Sequence, residues 1–383
     1  MQALGRRRPR PAIGILAALC LLGAILSACS TNDADGSADD GAGPGPTITR
    51  PEPSGEPRTV RIGFSTLPPE RTVDSYINAF ATAAQYGDVV LIQRAPPWSD
   101  FMPGGGVSAA TQENTELETS LHEQYSNLQL FYAIDPTDGI VERTRIANLP
   151  SSVDPEIGFN DPDLREAFIA YTTYVVKNYK PDYLALGVEV NMMYERKRDQ
   201  FDAFVSLYHE AYRIAKENRP EMKVFPTFQL EDLEGTFAEI HPPHWEVIDP
   251  FRDAMDALAI STYPFLGDIR SATEIREDYY SQLREHWDGE IVISETGYAS
   301  GPVEGKAAVG TEEAQRTYLE RILNEAEANH FGFVIWLAAL DPSFVNTGAA
   351  SVFRDIGLRH SDGANKLAWP TWEEWARRPL GAG

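Results

Sequence analysis

Apolar and polar positions alternate along the chain in a pattern that repeats eight times. Eight short runs of apolar, β-branched and aromatic residues have the length and composition of buried β-strands. They lie at Val60–Ser65, Val89–Gln93, Leu128–Ile134, Tyr183–Val188, Val224–Phe228, Ala257–Thr262, Ile291–Ser294 and Phe333–Leu337. The segments between them show the spacing of apolar residues that is typical of helices. Strands that alternate with helices predict an α/β fold with a parallel sheet.

The helical segments carry signals for where they begin and end. One begins at Asp161-Pro162, an N-cap residue followed by proline at the first helical position, and ends before Lys180-Pro181. Another begins at Thr311 with two acids in its first turn, where the helix dipole favours them. A third has one apolar stripe, formed by Phe201, Phe204, Tyr208, Ala211 and Ala215.

Eight such units in one chain predict a single (β/α)8 TIM barrel over residues 58–383. A doubly wound open sheet is the alternative. It would not explain acidic residues at strand ends that lie about a hundred residues apart in the sequence.

The first 57 residues do not follow this repeat. Residues 1–28 run from four arginines into an apolar stretch that is short for a membrane span, as secretory signals do. Their ending, Leu26-Ser27-Ala28-Cys29, resembles the bacterial lipobox. This implies a lipid anchor on Cys29 and a cell-membrane lipoprotein on the extracytoplasmic face; an ordinary signal peptide or an uncleaved anchor is the alternative. Residues 29–57 are rich in Asp, Gly, Ser, Thr and Pro, which predicts a disordered tether.

The net charge limits the molecules that the chain is expected to bind, and the cysteine content limits the disulfides that it can form. The net charge is −24, and removal of residues 1–28 takes away four arginines and no acids, which makes it −28. A chain this acidic is not expected to bind nucleic acid. Cys20 lies in the removed segment, so Cys29 is the only cysteine left and no disulfide can form within one mature chain.

Two of the predicted strands end in a carboxylate. The segment LALGVEVN at 184–191 carries Glu189, and IVISETGY at 291–298 carries Glu295. An acid beside an apolar strand is costly to desolvate, so it needs a partner or a function. A TIM barrel brings the C-terminal ends of its strands to one face. We therefore expect the two glutamates to meet there, with other strand-end side chains: Arg94, Asn191, Tyr263 and Trp336.

Each of these side chains alone has a structural explanation, such as an ion pair or core packing. Two carboxylates at one site are what glycoside hydrolysis requires, one to protonate the leaving oxygen and one to attack the sugar. Their combination therefore predicts a carbohydrate-active enzyme.

The segments GVEVN, STYPF, SETGY and VIWL resemble the clan of retaining glycoside hydrolases that is built on a TIM barrel. Within it they are most similar to the endo-β-1,4-galactanase (arabinogalactan-degrading) group, over Val60 to Trp369. The resemblance implies no cofactor and a polysaccharide or oligosaccharide substrate, with β-galactan and arabinogalactan as candidates. It implies these roles: acid/base for Glu189, nucleophile for Glu295, positioning of the nucleophile for Tyr263, keeping the nucleophile ionised for Arg94, and a sugar platform for Trp336.

One position departs from the clan. Its members have Asn directly before the acid/base glutamate, where it bonds the sugar 2-hydroxyl, and this chain has Val188 there. Three explanations stay open: Asn191 or Gln229 replaces that residue, the substrate is unusual, or the activity is weak. The last of these favours a second function, a glycan-binding lipoprotein with a TIM-barrel fold and little or no catalysis.

A double displacement would place the two carboxyl groups about 5–5.5 Å apart. The loops beyond the strands also offer aromatic side chains that suit either sugar stacking or loop packing: Trp98, Tyr132, Tyr194, Phe265 and Tyr298.

Other chemistries have less support. Two prolines separate His241 from His244, no third ligand is obvious, and the sequence favours a histidine pair without a metal. Gly104-Gly105-Gly106 lacks the Lys-Ser/Thr of a phosphate-binding loop. No Gly-x-Ser-x-Gly nucleophile elbow is present in the sequence.

Overall fold

The computed structural model describes residues 44–138, 142–237, 241–267, 269, 271–303 and 310–381. The predicted signal segment, Cys29 and the first part of the predicted tether lie outside these residues. No helix within the described ranges combines the length and the apolar character that a membrane crossing requires.

The strands form one parallel sheet and match the eight predicted runs closely. They are β1 (Arg61–Ser65), β2 (Val89–Arg94), β3 (Gln129–Ile134), β4 (Tyr183–Leu186), β5 (Lys223–Phe225), β6 (Thr227–Gln229), β7 (Ala257–Thr262), β8 (Glu290–Thr296) and β9 (Phe333–Trp336). Their order in the sheet is β5-β4-β3-β2-β1-β9-β8-β7-β6. This order follows the chain around the sheet, as it does in a TIM barrel.

The fifth predicted strand is divided in two at Pro226. Proline has no N–H to donate to a neighbouring strand, so it interrupts the ladder. β5 pairs with β4, and β6 pairs with β7. Hydrogen bonds also cross the interruption: Thr227 N donates to Gly187 O at 3.1 Å, and Asp256 N donates to Val224 O at 2.8 Å. The sheet therefore closes, and the predicted TIM barrel is confirmed.

Helices follow the strands, and their caps are those that the sequence indicates. The α-helices of the described residues are α1 (Val73–Tyr86), α2 (Trp98–Phe101), α3 (Ala109–Gln124), α4 (Pro162–Asn178), α5 (Met192–Arg196), α6 (Arg198–Asn218), α7 (Leu230–Leu233), α8 (Leu283–His286), α9 (Glu312–Ala328) and α10 (Trp369–Arg377). In the same part of the chain, 3-10 helices lie at Trp245–Ala254, Pro264–Leu266, Ala272–Glu274 and Ala349–Phe353. Asp161 caps α4 by accepting the N–H groups of Asp163 and Leu164, and Thr311 caps α9 through Ala314 N.

Aromatic rings fill the lower part of the barrel. The rings of Phe131 on β3 and Phe333 on β9 are 5.5 Å apart, although these strands are not neighbours in the sheet. Phe225 and Tyr183 complete the group, with Tyr183 4.9 Å from Phe333. The interior is thus a packed core, which leaves the C-terminal strand ends as the place for chemistry.

Residues 44–57, which the sequence assigns to the tether, lie against the barrel without forming a helix or strand. Gln124 at the end of α3 donates to Gly45 O at 2.7 Å, and Gln85 near the end of α1 donates to Thr49 O at 2.9 Å. The folded part of the chain therefore begins before the predicted boundary at Pro57.

Candidate active site

The turn after β4 carries Glu189 in an uncommon backbone conformation. Glu189 has φ +50°, and Gly187, two residues earlier, has φ +102°. A side chain at Gly187 would meet the ring of Phe204 at 2.5 Å, so the turn requires glycine there. A non-glycine residue with positive φ costs energy that the surrounding structure must supply, and such residues cluster at functional sites.

The carboxylate of Glu189 is buried and receives two hydrogen bonds. Arg143 Nε donates to Oε2 at 2.6 Å, and Ser261 Oγ donates to Oε1 at 2.6 Å. The backbone N–H of Glu189 donates to Thr227 Oγ1 at 2.9 Å. Glu189 is thus fixed from three sides, and each of its carboxyl oxygens accepts a hydrogen bond.

Arg143 links Glu189 to a second acid. Its Nη1 donates to both oxygens of Asp135, at 2.9 and 3.0 Å. Gln93 Nε2, on the neighbouring strand, donates to Asp135 Oδ2 at 3.0 Å. The side chains of Asp135, Arg143 and Glu189 therefore form one charged row across the strand ends.

Glu295 lies beside this row and is held by Tyr263. The Tyr263 hydroxyl donates to Glu295 Oε1 in a short hydrogen bond. Ser261, which donates to Glu189, is the register partner of Glu295 in the β7–β8 pair. The predicted meeting of Glu189, Glu295 and Tyr263 is therefore what the structure contains. The predicted separation of the two carboxyl groups stays a prediction.

The two carboxylates are electrostatically coupled. Burial, and then the negative charge of Glu189, raise the pKa of Glu295 to about 7. The hydrogen bond from Tyr263 and the charge of Arg143 act in the opposite direction. Glu295 therefore keeps its proton up to about pH 7, and the nearby charge of Glu189 is one reason.

Arg94 does not have the role that the resemblance implied. Successive strand residues point to opposite faces. Gln93 faces the barrel interior and bonds Asp135, so Arg94 faces outward. There Arg94 forms a buried ion pair with Glu118 of α3 and borders a cavity lined by tyrosines. The arginine whose charge lowers the pKa of Glu295 is Arg143.

Trp336 is not a sugar platform. It is fully buried, its Nε1 donates to Ile356 O at 2.8 Å, and its ring packs against Tyr318 of α9. The same alternation explains this result, because the last residue of β9 faces the outer helices. Of the five loop aromatics, four are core residues with at most 1% exposure: Trp98, Tyr132, Phe265 and Tyr298. Tyr194 is half-buried against the rings of Phe201 and His244.

Asn191 and Gln229 are buried and bonded within the protein. Asn191 Nδ2 donates to Gln229 O and to Asp232 Oδ2, and its Oδ1 accepts from Gln229 N at 2.8 Å. The Gln229 side chain bonds Glu231 and the N–H of Asp232. Each amide is thus already engaged within the protein, and the replacement of the clan asparagine at Val188 by one of them stays a prediction.

Sequence reasoning missed several residues of the site. Asp135 directly follows β3 and Ser261 lies two residues before Tyr263, so the strand-end rule could have found both. Glu231 is a buried positioning residue that accepts from Tyr263 N at 3.0 Å and Tyr279 OH at 2.7 Å. Arg143 lies in the loop after β3, where no sequence pattern marks it.

Solved structures share this barrel. GH5_18 from Bifidobacterium longum subsp. longum ATCC 55813, as a variant in complex with Manb1-4GlcNAc, has a TM-score of 0.61 at 17% identity, over 85% of this chain and 80% of that one. GH5_18 from Streptomyces cattleya, also a variant with Manb1-4GlcNAc, has a TM-score of 0.61 at 15% identity, over 84% and 81%. The fold is that of these glycoside hydrolases.

A third similar structure is the exo-beta-1,4-mannosidase Op5Man5 from Opitutaceae bacterium strain TAV5. Its TM-score is 0.60 at 17% identity, over 86% of this chain and 62% of that one. No protein-family model matches the chain, and no curated protein matches its sequence. At these identities the likeness concerns the barrel itself, so the chemistry has to be argued from the residues of this chain.

Proposed function

We propose that this protein is a retaining glycoside hydrolase that uses Glu189 and Glu295 in a double displacement. The observation that carries the proposal is the bond from Tyr263 to Glu295, beside a second buried carboxylate whose charge raises the pKa of Glu295. Paired titratable groups with environments this different are typical of acid/base sites.

Each step assigns one role to each carboxylate. Glu295 attacks the anomeric carbon and forms a glycosyl ester, while Glu189 gives a proton to the departing oxygen. Glu189 then takes a proton from water, and the water oxygen attacks the anomeric carbon and releases Glu295. Tyr263 stabilises the ionised form of Glu295 by donating its hydroxyl hydrogen.

Before the first step, the proton of Glu295 has to move to Glu189. Arg143 and Ser261 both donate to Glu189, so each of its oxygens already accepts a hydrogen bond. We infer that a bound sugar draws one of these donors away and so prepares Glu189 as the acid. Asp135 is the alternative acceptor that would hold Arg143 in that state, since it already accepts two bonds from it.

A β-mannoside is the first substrate class to test. The support comes from the similar barrels, which include a beta-1,4-mannosidase and complexes with Manb1-4GlcNAc. β-1,4-Galactan and arabinogalactan, which the sequence resemblance implies, belong in the same assay. Proton NMR of the first sugar released would test retention, because a retaining enzyme releases the anomer with the configuration of the substrate.

A glycan-binding protein with weak catalysis is the second candidate. Val188 favours it, because the clan asparagine at that position bonds the 2-hydroxyl, a contact that contributes to several kcal/mol of transition-state stabilisation, and the amides of Asn191 and Gln229 are bonded within the protein. Glycan binding by calorimetry without any sugar released would support this candidate over the enzyme.

The pH dependence of hydrolysis should report the pKa of Glu295. The reactive form has Glu295 ionised and a proton on Glu189, so kcat/KM of the wild-type protein should fall as the pH rises through about 7, where the pair loses that proton. Tyr263→Phe removes a bond that lowers this pKa, so the fall should move to higher pH. The matched control is Tyr208→Phe, which removes another buried hydroxyl, bonded to Ala254 O, and should leave the profile in place. A Tyr263→Phe profile that coincides with the wild type would contradict the role of Tyr263.

The lipid anchor that the sequence implies is also a proposal. Cys29→Ala should yield an unlipidated chain that is released from membrane fractions with its barrel folded. Membrane fractionation and mass spectrometry of the N-terminal peptide would measure this. A processed Cys29→Ala chain that stays in the membrane would argue against the lipobox.

A further inference from the structure

Three side chains that no step above uses meet beyond the ends of β4 and β6. They are Asp232 of α7 and the two histidines His241 and His244, whose ligand atoms all lie within 4.8 Å of one another. From the sequence no third ligand was obvious, and a histidine pair without a metal was favoured. The structure supplies a third candidate ligand, because α7 brings Asp232 to the pair.

His241 presents an unprotonated nitrogen to this group. Its Nδ1 lies 2.8 Å from Pro242 O, and a carbonyl only accepts, so Nδ1 carries the hydrogen. In the neutral ring Nε2 then has a lone pair. This Nε2 is buried, has no hydrogen-bond partner among the described residues, and lies 3.7 Å from Asp232 Oδ1. A lone pair facing a carboxylate is unfavourable unless a positive charge, either a proton on the ring or a metal ion, lies between them.

His244 also directs a ring nitrogen at Asp232. Its Nδ1 lies 3.4 Å from Glu195 Oε1, and its Nε2 lies 3.2 Å from Asp232 Oδ2. A carboxylate oxygen only accepts, so Nε2 carries a hydrogen in this contact, and a bound metal would take the place of that hydrogen. Metal-binding histidines commonly donate their other ring N–H to a carboxylate or a backbone carbonyl, and both histidines have such a partner here.

The spacing suits a tetrahedral ion. Bonds of 2.0–2.1 Å to zinc put neighbouring ligand atoms roughly 3.3 Å apart. His244 Nε2 lies 3.2 Å from Asp232 Oδ2, close to that value, and His241 Nε2 lies 3.7 Å from the other oxygen of the same carboxylate, Oδ1. Asp232 is held in place by Arg196 Nη1 at 2.9 Å and Asn191 Nδ2 at 2.8 Å, so the carboxylate is positioned in advance.

We propose that Asp232, His241 and His244 form a Zn²⁺ site with two nitrogen ligands, one carboxylate oxygen and a fourth position for water. Imidazole with carboxylate is a donor set that zinc prefers. The site would fasten the loop that carries His241 and His244 to the segment Asn191–Arg196, which directly follows the turn of Glu189. It lies outside the proposed catalytic pair and has a structural role.

Metal binding is testable apart from hydrolysis. The full-length chain, stripped with chelator, should bind one Zn²⁺ by isothermal titration calorimetry. Co²⁺ should give the visible absorption of a tetrahedral site. Zn²⁺ at a hundredfold excess over its Kd should raise the melting temperature by roughly 5 °C.

His241→Ala is the most informative variant, because His241 lies in a loop and is partly exposed, so the fold should tolerate the change. It should weaken Zn²⁺ binding by about 100-fold or more, and Glu195→Gln, which keeps all three ligands, by about 10-fold. The matched control is His360→Ala, another histidine beside two carboxylates, Glu312 at 3.3 Å and Asp341 at 3.7 Å. It should bind Zn²⁺ as the wild type does.

Two results would overturn the site: equal Zn²⁺ affinity in the wild type and His241→Ala, or an equal loss in His360→Ala. Either can occur with hydrolysis intact, and a protein without hydrolase activity can still show the zinc site. Failure of this inference is therefore distinct from failure of the proposed function.

Discussion

Replacing Glu295 with glutamine should lower hydrolysis by several orders of magnitude, on the order of 10⁴-fold or more, while glycan binding survives. The amide keeps the shape of the side chain and can still contact Tyr263, but it cannot attack the anomeric carbon. Initial rates on the substrate that the wild type hydrolyses, with binding measured by calorimetry, would give both quantities.

Glu290→Gln is the matched control for that experiment. Glu290 begins the same strand, β8, at the opposite end of the barrel, where it pairs with Lys223. The control should keep wild-type turnover. Unchanged turnover in Glu295→Gln would remove Glu295 from the mechanism.

Glu189→Ala should slow substrates with poor leaving groups far more than activated aryl glycosides. An activated leaving group departs without a proton, so the loss of the acid then affects mainly the second step. Azide needs no general base, and it should restore the rate and yield a glycosyl azide of retained configuration. Rates with and without azide, and NMR of the product, would measure this.

The reverse variant tests whether the two roles are assigned correctly. In Glu295→Ala, azide should attack directly from the vacated side and yield the inverted glycosyl azide. If Glu189→Ala gave the inverted azide and Glu295→Ala the retained one, Glu189 would be the nucleophile and Glu295 the acid/base. If azide rescues neither variant, and the wild-type protein binds glycans without releasing any sugar, the protein would be a glycan-binding protein rather than an enzyme.

The barrel could be predicted from the sequence because each strand combines a short apolar run with a turn or cap signal. The eight runs and the caps at Asp161 and Thr311 are confirmed. The interruption of the fifth strand at Pro226 could also have been predicted, since proline has no N–H to donate to a neighbouring strand. The continuous apolar run around Pro226 favoured a single strand instead. The two halves of this strand, β5 and β6, pair with different neighbouring strands, and this pairing is determined only when the sheet closes into a barrel.

The site could be predicted in part. Glu189, Glu295 and Tyr263 were found because acids and a tyrosine at strand ends are conspicuous in apolar surroundings. Arg94 and Trp336 also stand at strand ends, but on the outer face, and a shift of one residue separates the two faces. Arg143, which bonds Glu189 and Asp135, comes from a loop, and loops place side chains by tertiary contacts rather than by a repeating pattern.

The path of residues 44–57 sets how the barrel would stand on a membrane. This segment bonds Gln85, Gln124 and Asp88, at the ends of α1 and α3 and just before β2, which is the lower rim of the barrel. The carboxylates of Glu189 and Glu295 lie at the opposite, upper rim, where the strands have their C-terminal ends. Pro44 follows Cys29 by fifteen positions, a length of chain that can span at most about 50 Å. A lipid on Cys29 would thus be joined to the barrel at its lower rim, and the strand ends that carry Glu189 and Glu295 would lie at the opposite rim, where long polymers arriving from outside could reach them.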